Sequence, residues 1–316
     1  MPKDAVVLLN MGGPNNLREV ELFLTNMFRD PNILTIKSGL FRRFVGSMIV
    51  FFRTQSAQEI YKRIGNKSPL VDHTKKLVSK LQARLGDAVA VEFAMRYTPP
   101  FSSEVIERLN EQNVQNIYLI PLYPQYSTTT VKSSLEEFEA TYKSMGGSAT
   151  LHSISEFYKN ELYNEVVVSL IEDALAGDDA SSFELVFSAH GLPKKVIDNG
   201  DPYQRQVEEH IELVSATLEK RGVNFSGTHL AYQSKVGPME WLSPSLEQTL
   251  TSLKNKRVII SPIAFTIDNS ETDFELSIDY KERFGDFEEY RVARCPNDSD
   301  LFVDALVQIY DQMSKK

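Results

Sequence analysis

The sequence predicts an α/β protein of two similar domains, each a parallel β-sheet flanked by helices, with the active-site cleft between their strand ends. Three observations lead there. The chain has 316 residues, long for one core and comfortable for two. Short β-leaning apolar runs alternate with stretches of helical spacing, the pattern of βαβ units. Three strand-then-turn signatures also recur in the same order. Residues 5–14 resemble 184–193, residues 93–100 match 231–238, and residues 116–122 match 257–264. The first domain is expected over 1–150 and the second over 151–316, divided near Gly147 to Glu156. The final helix, Asp300 to Met313, is a candidate to pack back on the first domain.

Taken in order, Ala5 to Asn10 is a buried strand ending in Met11-Gly12-Gly13-Pro14, and Leu17 to Phe28 has helical periodicity. Residues 39–52 form an apolar stretch containing Phe41, Phe44, Met48, Phe51 and Phe52, with Arg42, Arg43 and Arg53 beside them. Two readings stand for it: a partly buried helix, or an apolar lip that touches a membrane surface or a flat hydrophobic ligand. Gln58 to Ile64 and Thr74 to Leu85 read as helices, the second stopped by Gly86. Val89 to Met95 is a second strand, Ser103 to Leu109 a helix, Asn116 to Leu122 a third strand, and Ser133 to Met145 a helix. In the second half, Leu185 to Phe187 is a strand brought to a stop by Ser188-Ala189, which leaves His190 at its mouth. Gly191 permits a tight turn there and Pro193 fixes the exit.

Composition narrows the chemistry. A net charge of −9 argues against nonspecific nucleic-acid binding, which needs a basic field. A single cysteine, Cys295, excludes a disulfide framework, a thiolate zinc site and a protein-held iron–sulfur cluster. The amino terminus lacks the apolar core and cleavage site of a signal peptide, so the expected location is the cytoplasm. No apolar run approaches the roughly 20 residues of a spanning helix. Met11-Gly12-Gly13-Pro14 is not a dinucleotide fingerprint, and no P-loop lysine or H-E-x-x-H motif occurs.

Ligands of open α/β sheets bind beyond the carboxyl ends of the strands, which puts His190 where chemistry is expected. A second informative stretch is Pro262 to Tyr280, in which Glu271, Glu275 and Asp279 stand at i, i+4 and i+8 on one helical face. Asp268-x-x-Glu271 fits a capping box, and the row fits equally a cation path that ends at Glu271. His190 and Glu271 follow equivalent strand ends. An imidazole there can take a proton, and a carboxylate can hold a hard divalent cation or receive that proton.

Several motifs carry a resemblance. Phe187-Ser-Ala-His-Gly-Leu-Pro193 with Gly200-Asp-Pro-Tyr203, Leu122-Tyr-Pro-Gln-Tyr-Ser127, and Gln233-Ser-Lys-Val-Gly-Pro238 followed by Trp241 are similar to those of ferrochelatases. The likeness runs from the first strand to the last helix. It implies two Rossmann-like, chelatase-like domains and insertion of ferrous iron into protoporphyrin IX, the terminal step of haem synthesis. By resemblance, His190 takes pyrrole protons or meets the metal, Glu271 opposes it, and Glu275 and Asp279 form an acidic path. Met11 packs on the macrocycle, and Arg53, Tyr61, Ser68 and Ser234 lie near its propionates. Arg96, Tyr123 and Trp241 line the pocket, and residues 39–52 form its apolar mouth.

The resemblance implies ferrous iron and porphyrin as substrates, no prosthetic group and no iron–sulfur cluster. Peripheral contact with the inner membrane face through residues 39–52 is a further expectation. One departure stands out: the family's Asp-His-Ile-Glu-Thr is Asp268-Asn269-Ser270-Glu271-Thr272 here. The alternatives are a coproporphyrin or other tetrapyrrole metal chelatase, and a non-catalytic porphyrin or haem carrier. Met11 favours protoporphyrin, because coproporphyrin-using relatives tend to carry Tyr there.

Overall fold

The computed structural model describes residues 2–315 apart from 236, 238 and 285. Val236 and Pro238, part of the Gln233–Pro238 motif, therefore lie outside the described residues. The chain divides into two compact units. Unit 1 comprises Met1–Tyr123, Ser127–Ser155 and Asp298–Lys316, and unit 2 comprises Pro124–Tyr126 and Glu156–Asn297.

Unit 1 is built on β1 (Asp4–Asn10), β2 (Val89–Met95), β3 (Asn116–Pro121) and β4 (Thr150–Ser153). They form one parallel sheet in the order β2-β1-β3-β4. Its helices are α1 (Glu19–Arg29), α2 (Gly39–Arg63), α3 (Leu70–Leu85), α4 (Ser102–Glu111), α5 (Ser133–Ser144) and, from the end of the chain, the helix Asp300–Ser314. Residues 5–8 of β1 are completely buried, which is why that strand is a continuous apolar run rather than an alternating one. Ala5, Val7 and Leu9 share a core with Ile106 of α4 and Phe138 of α5. Successive side chains point to opposite faces, so Val6 and Leu8 fill the other side of the sheet. The helix Asp300–Ser314 packs on α3, which brings the buried Phe302 and Leu306 into unit 1. Lys80 of α3 reaches Asp298 at 3.4 Å and Asp300 at 3.1 Å, and Arg84 pairs with Asp304.

Unit 2 repeats the plan with β5 (Glu184–His190), β6 (Gly227–Gln233), β7 (Arg257–Ser261) and β8 (Glu289–Val292), again parallel and in the order β6-β5-β7-β8. Its helices are α6 (Glu161–Leu175), α7 (Lys194–Asp198), α8 (Tyr203–Lys220), α9 (Leu246–Ser252) and α10 (Tyr280–Arg283). The helix Asp300–Ser314 is then α11. A π-helix, Glu271–Asp279, runs into α10.

The duplication is therefore one of topology as well as of motif, with one correction of register. Leu8 pairs with Phe93 in unit 1, and its counterpart Phe187 pairs with Leu230 in unit 2. Phe93 thus corresponds to Leu230, one residue from the match to Ala231 made on the sequence. Aligning the prolines beyond the strands absorbed that residue, and a one-residue slip exchanges the faces of a strand.

Two further elements differ from expectation. Residues 58–64 are not a separate helix, because α2 runs unbroken for 25 residues from Gly39. Its apolar stretch is a partly buried helix, as one of the two readings had it: Val50 joins the core, while Leu40, Phe41, Phe44, Met48, Phe51 and Phe52 are exposed, Phe51 by 79%. Leu40, Phe44, Met48 and Phe52 recur at every fourth position along one face. Strand β5 also does not stop at Ser188. The Ser188 hydroxyl donates to Gln233 Oε1 at 2.7 Å, and this bond lets a polar residue continue the buried strand through Ala189 to His190.

Leu306→Ala tests the place of α11 in unit 1. Emptying that fully buried position should cost about 2–5 kcal/mol and lower the urea midpoint of unfolding. An unchanged midpoint would show that α11 adds nothing to that core.

Candidate active site

His190 ends β5, opposite Gln233 of β6 in the parallel register. The Tyr203 hydroxyl donates to the His190 carbonyl at 3.1 Å, tying the strand end to the start of α8. Gly191 is required for space: a Cβ there would sit 2.7 Å from the Gln233 carbonyl and 3.3 Å from the Trp241 ring. Its N–H donates to that same carbonyl at 2.8 Å. Trp241 bridges Pro193 in antiparallel fashion, and its buried indole N–H has no hydrogen-bond partner among the described residues.

The π-helix brings the acidic row to His190. Its wider i→i+5 winding shows in Tyr280 N–H, which donates to the Glu275 carbonyl, and the Ser277 hydroxyl adds a bond to the Thr272 carbonyl. His190 Nδ1 lies 2.7 Å from Glu271 Oε2, so the imidazole N–H donates to the carboxylate. Ser234 follows β6 in the left-handed region, at φ +65°, an uncommon conformation for a residue with a Cβ. There its N–H donates to Glu275 Oε1 at 2.9 Å. Its hydroxyl lies 2.6 Å from Glu275 Oε2 and 3.1 Å from Glu271 Oε2. One hydroxyl proton serves one acceptor at a time, so a proton resident on either carboxylate completes the chain Glu275–Ser234–Glu271–His190.

The electrostatics suit such a chain. Burial opposes a charge on His190, but the charge and hydrogen bond of Glu271, with Glu275 behind it, outweigh burial and raise the imidazole above its usual value. Burial likewise favours a neutral Glu271, yet His190 and the Ser234 hydroxyl hold its carboxyl below the usual range. Glu275 is pushed up to about 7 by burial and by the Glu271 charge, against the opposing pull of Ser234 and His190. Asp279 ends the π-helix and lies 3.5 Å from Arg283. Among the described residues, no three His, Cys, Asp or Glu side chains gather closely enough to hold a metal ion.

The capping-box reading of Asp268 and Glu271 fails. Asp268 instead accepts from Cys295 N–H at 3.2 Å and from Asn297 Nδ2 at 2.6 Å. Asn269 supplies the turn: its Oδ1 accepts from Glu271 N–H at 2.8 Å, while its Nδ2 donates to the Ile267 carbonyl at 3.0 Å. Both ends of the Asn269 amide are thus occupied by the backbone.

In unit 1, Arg96 and Met11 lie at neighbouring strand ends. Arg96 N–H donates to the Asn10 carbonyl at 2.8 Å and Tyr97 N–H to the Met11 carbonyl at 2.9 Å. Gly12, at φ +85°, has no room for a Cβ, which would fall 2.3 Å from Thr98 Oγ1. Met11 packs on a cluster that includes Val20, Phe23 and Tyr61. Of the residues assigned to propionates, Arg53 is exposed and Ser234 belongs to the carboxylate chain, whereas Tyr61 and Ser68 are buried. Tyr123 is partly buried, and burial raises its phenol well above the usual value despite Ser134 and Arg96. Sequence reasoning missed the hydroxyl bridge of Ser234 and the supporting bond of Ser188 to Gln233. The quoted motifs contained both serines, but linear spacing carries no sign of their partners.

The family model described as Ferrochelatase matches residues 3–314. A ferrochelatase of Sulfurimonas denitrificans is 59% identical over 99% of this chain and 100% of its own length. One from Nitratiruptor is 54% identical over 98% of this chain and 99% of its own length. Among solved structures, SirB from Bacillus subtilis with Fe3+ superposes with a TM-score of 0.58 at 11% identity, covering 98% of this chain and 95% of that one. CbiX, a terminal enzyme of sirohaem biosynthesis, gives 0.55 at 12% identity over 98% of each chain. The structures speak for the fold, and the relatives decide the family: the chain belongs to the ferrochelatases.

Proposed function

We propose that the chain inserts ferrous iron into protoporphyrin IX, a lyase reaction that yields haem and two protons. The observation that carries the site assignment is the continuous chain His190–Glu271–Ser234–Glu275 at the end of β5 and β6. Metal insertion needs somewhere for two pyrrole protons to go. The Nδ1 edge of His190 is committed to Glu271, which leaves Nε2 as the basic edge. An imidazolium formed by protonation at Nε2 is stabilised by the Glu271 carboxylate. Transfer of the Nδ1 proton to Glu271, followed by a shift through the Ser234 hydroxyl, delivers it to Glu275, whose pKa near 7 suits release to solvent.

The same carboxylates attract the incoming dication, and oxygen and nitrogen donors hold ferrous iron loosely enough to release it. The preference for protoporphyrin over coproporphyrin rests on Met11, an apolar side chain at the end of β1. We place peripheral membrane contact on the exposed apolar face of α2, where Arg43 and Arg53 suit an anionic headgroup layer. Among the described residues, no helix is long and apolar enough to cross a membrane.

Three measurements check this reading. His190→Ala should still quench on porphyrin binding but lose on the order of 10²–10⁴ in anaerobic iron insertion. Glu271→Gln, which keeps the shape and removes the charge, should fall further than Asn269→His. Turnover of His190→Ala within a few-fold of the parent would make the histidine structural. Tight porphyrin binding by a parent that never inserts iron would identify a carrier.

The pH profile is the second test. His190 accepts a proton only when neutral, above its raised pKa, and Glu275 becomes an anion only above about 7, so kcat/KM for iron should rise with pH through that region. Glu275→Gln removes a charge that raises the His190 pKa, so the rising limb should move to lower pH. A profile that does not move would remove Glu275 from the proton route. The third test is the α2 face. Phe51→Asp and Phe52→Asp should weaken sedimentation with anionic liposomes without changing the circular dichroism, and unchanged sedimentation would end the membrane reading.

A further inference from the structure

Asp30, directly after α1, is a buried carboxylate whose two oxygens have different tasks. Oδ1 closes the turn at the end of α1 by accepting Asn32 N–H at 2.7 Å. Oδ2 faces the strand ends of the sheet. It lies 3.2 Å from Arg96 Nη2, accepts the Tyr97 hydroxyl at 2.8 Å, and takes a further bond from the Ser133 hydroxyl. Arg96 Nε in turn donates to Ser133 Oγ at 3.1 Å, and the guanidinium carbon stands 5.2 Å from the Tyr97 ring centroid. The Nε–Nη2 edge of the guanidinium is therefore pinned from two sides while its side chain keeps 19% of its surface exposed. An Asx turn explains Oδ1 alone. It gives no reason for three donors, one of them the arginine at the end of β2, to converge on Oδ2.

We propose that Asp30 is a positioning residue for Arg96, fixing the tilt of the guanidinium at the strand end before the porphyrin binds. The planar cation then presents its remaining N–H groups and its free surface to a flat, electron-rich ligand without first losing rotamer freedom. Tyr97 supports the arrangement as a neutral donor, since its burial and the Asp30 charge hold the phenol well above its usual value. The inference rests on the porphyrin reading above and adds to it a residue outside the quoted motifs.

Asp30→Asn isolates the second oxygen. The amide oxygen can keep the turn with Asn32, while the NH₂ group replaces Oδ2 and confronts three donors. We expect protoporphyrin KM and the dissociation constant from fluorescence quenching to rise about two- to tenfold, with kcat nearly unchanged. In an Arg96→Met background the same substitution should add nothing to KM, because the group it positions is gone. Should Asp30→Asn fail to fold, Ser133→Ala removes the hydroxyl that links Arg96 Nε to Asp30 Oδ2 while leaving the Asp30–Arg96 pair, and should give a smaller rise, again absent with Arg96→Met. Additive effects in the double variants, or equal losses in kcat and KM, would overturn the positioning role. A parent that binds no protoporphyrin would instead overturn the functional reading, whatever the variants do.

Discussion

The hydrogen bond between His190 and Glu271 is the constraint on which the candidate site depends. Its 2.7 Å length requires a strand that ends at one residue and a helix that begins at another, 81 positions later. β5 delivers the imidazole because its buried polar residue, Ser188, is satisfied by Gln233 and need not break the strand. The π-helix delivers the carboxylate because Asn269 turns the backbone just before it. Ser234, held at positive φ, inserts between the two carboxylates of that helix and keeps like charges at hydrogen-bonding distance from one hydroxyl. With the imidazole protonated and both carboxylates ionised, the cluster carries one excess negative charge. A dication drawn toward it lowers the proton affinity of all three groups, so metal arrival and proton departure assist each other.

Much of this arrangement was legible in the sequence, and the limits have physical causes. The strands β1, β3, β5 and β7 could be read because they are buried on both faces and appear as continuous apolar runs, whereas β4 and β8, which have no buried residue, left no such signal. The threefold repeat of strand and turn then gave the duplication. His190 and Glu271 were accessible through their places at strand ends. Linear spacing could not choose between a capped helix and a catalytic row, because a capping box and a cation path use the same residue types. The choice depends on where Asp268 bonds, and its partners are Cys295 and Asn297, well along the chain. The exposed face of α2 was ambiguous for a related reason. An apolar helix has the same composition whether or not something covers it, and only the surroundings show that Phe51 and Phe52 are uncovered.

The duplication is unequal in its chemistry. Met11 and His190 occupy matching places after matching strands, yet one is a thioether and the other a base. Unit 1 surrounds its strand ends with a compensated cation, Arg96 beside Asp30, while unit 2 surrounds its own with carboxylates and an imidazole. In the proposed reaction, this division assigns recognition of the flat ligand to one copy and the handling of protons to the other. Neither copy has to reconcile both demands in a single set of side chains.

The return of α11 to unit 1 has a consequence for how the protein is made. Unit 1 holds both the earliest and the latest parts of the chain, while most of unit 2 lies between them. On a ribosome, β1 to β4 emerge first but lack the helix that covers α3, and unit 2 is complete before that helix has been synthesised. The usual order, in which the amino-terminal domain finishes first, is reversed here. The face of α3 on which α11 packs stays uncovered throughout the synthesis of unit 2.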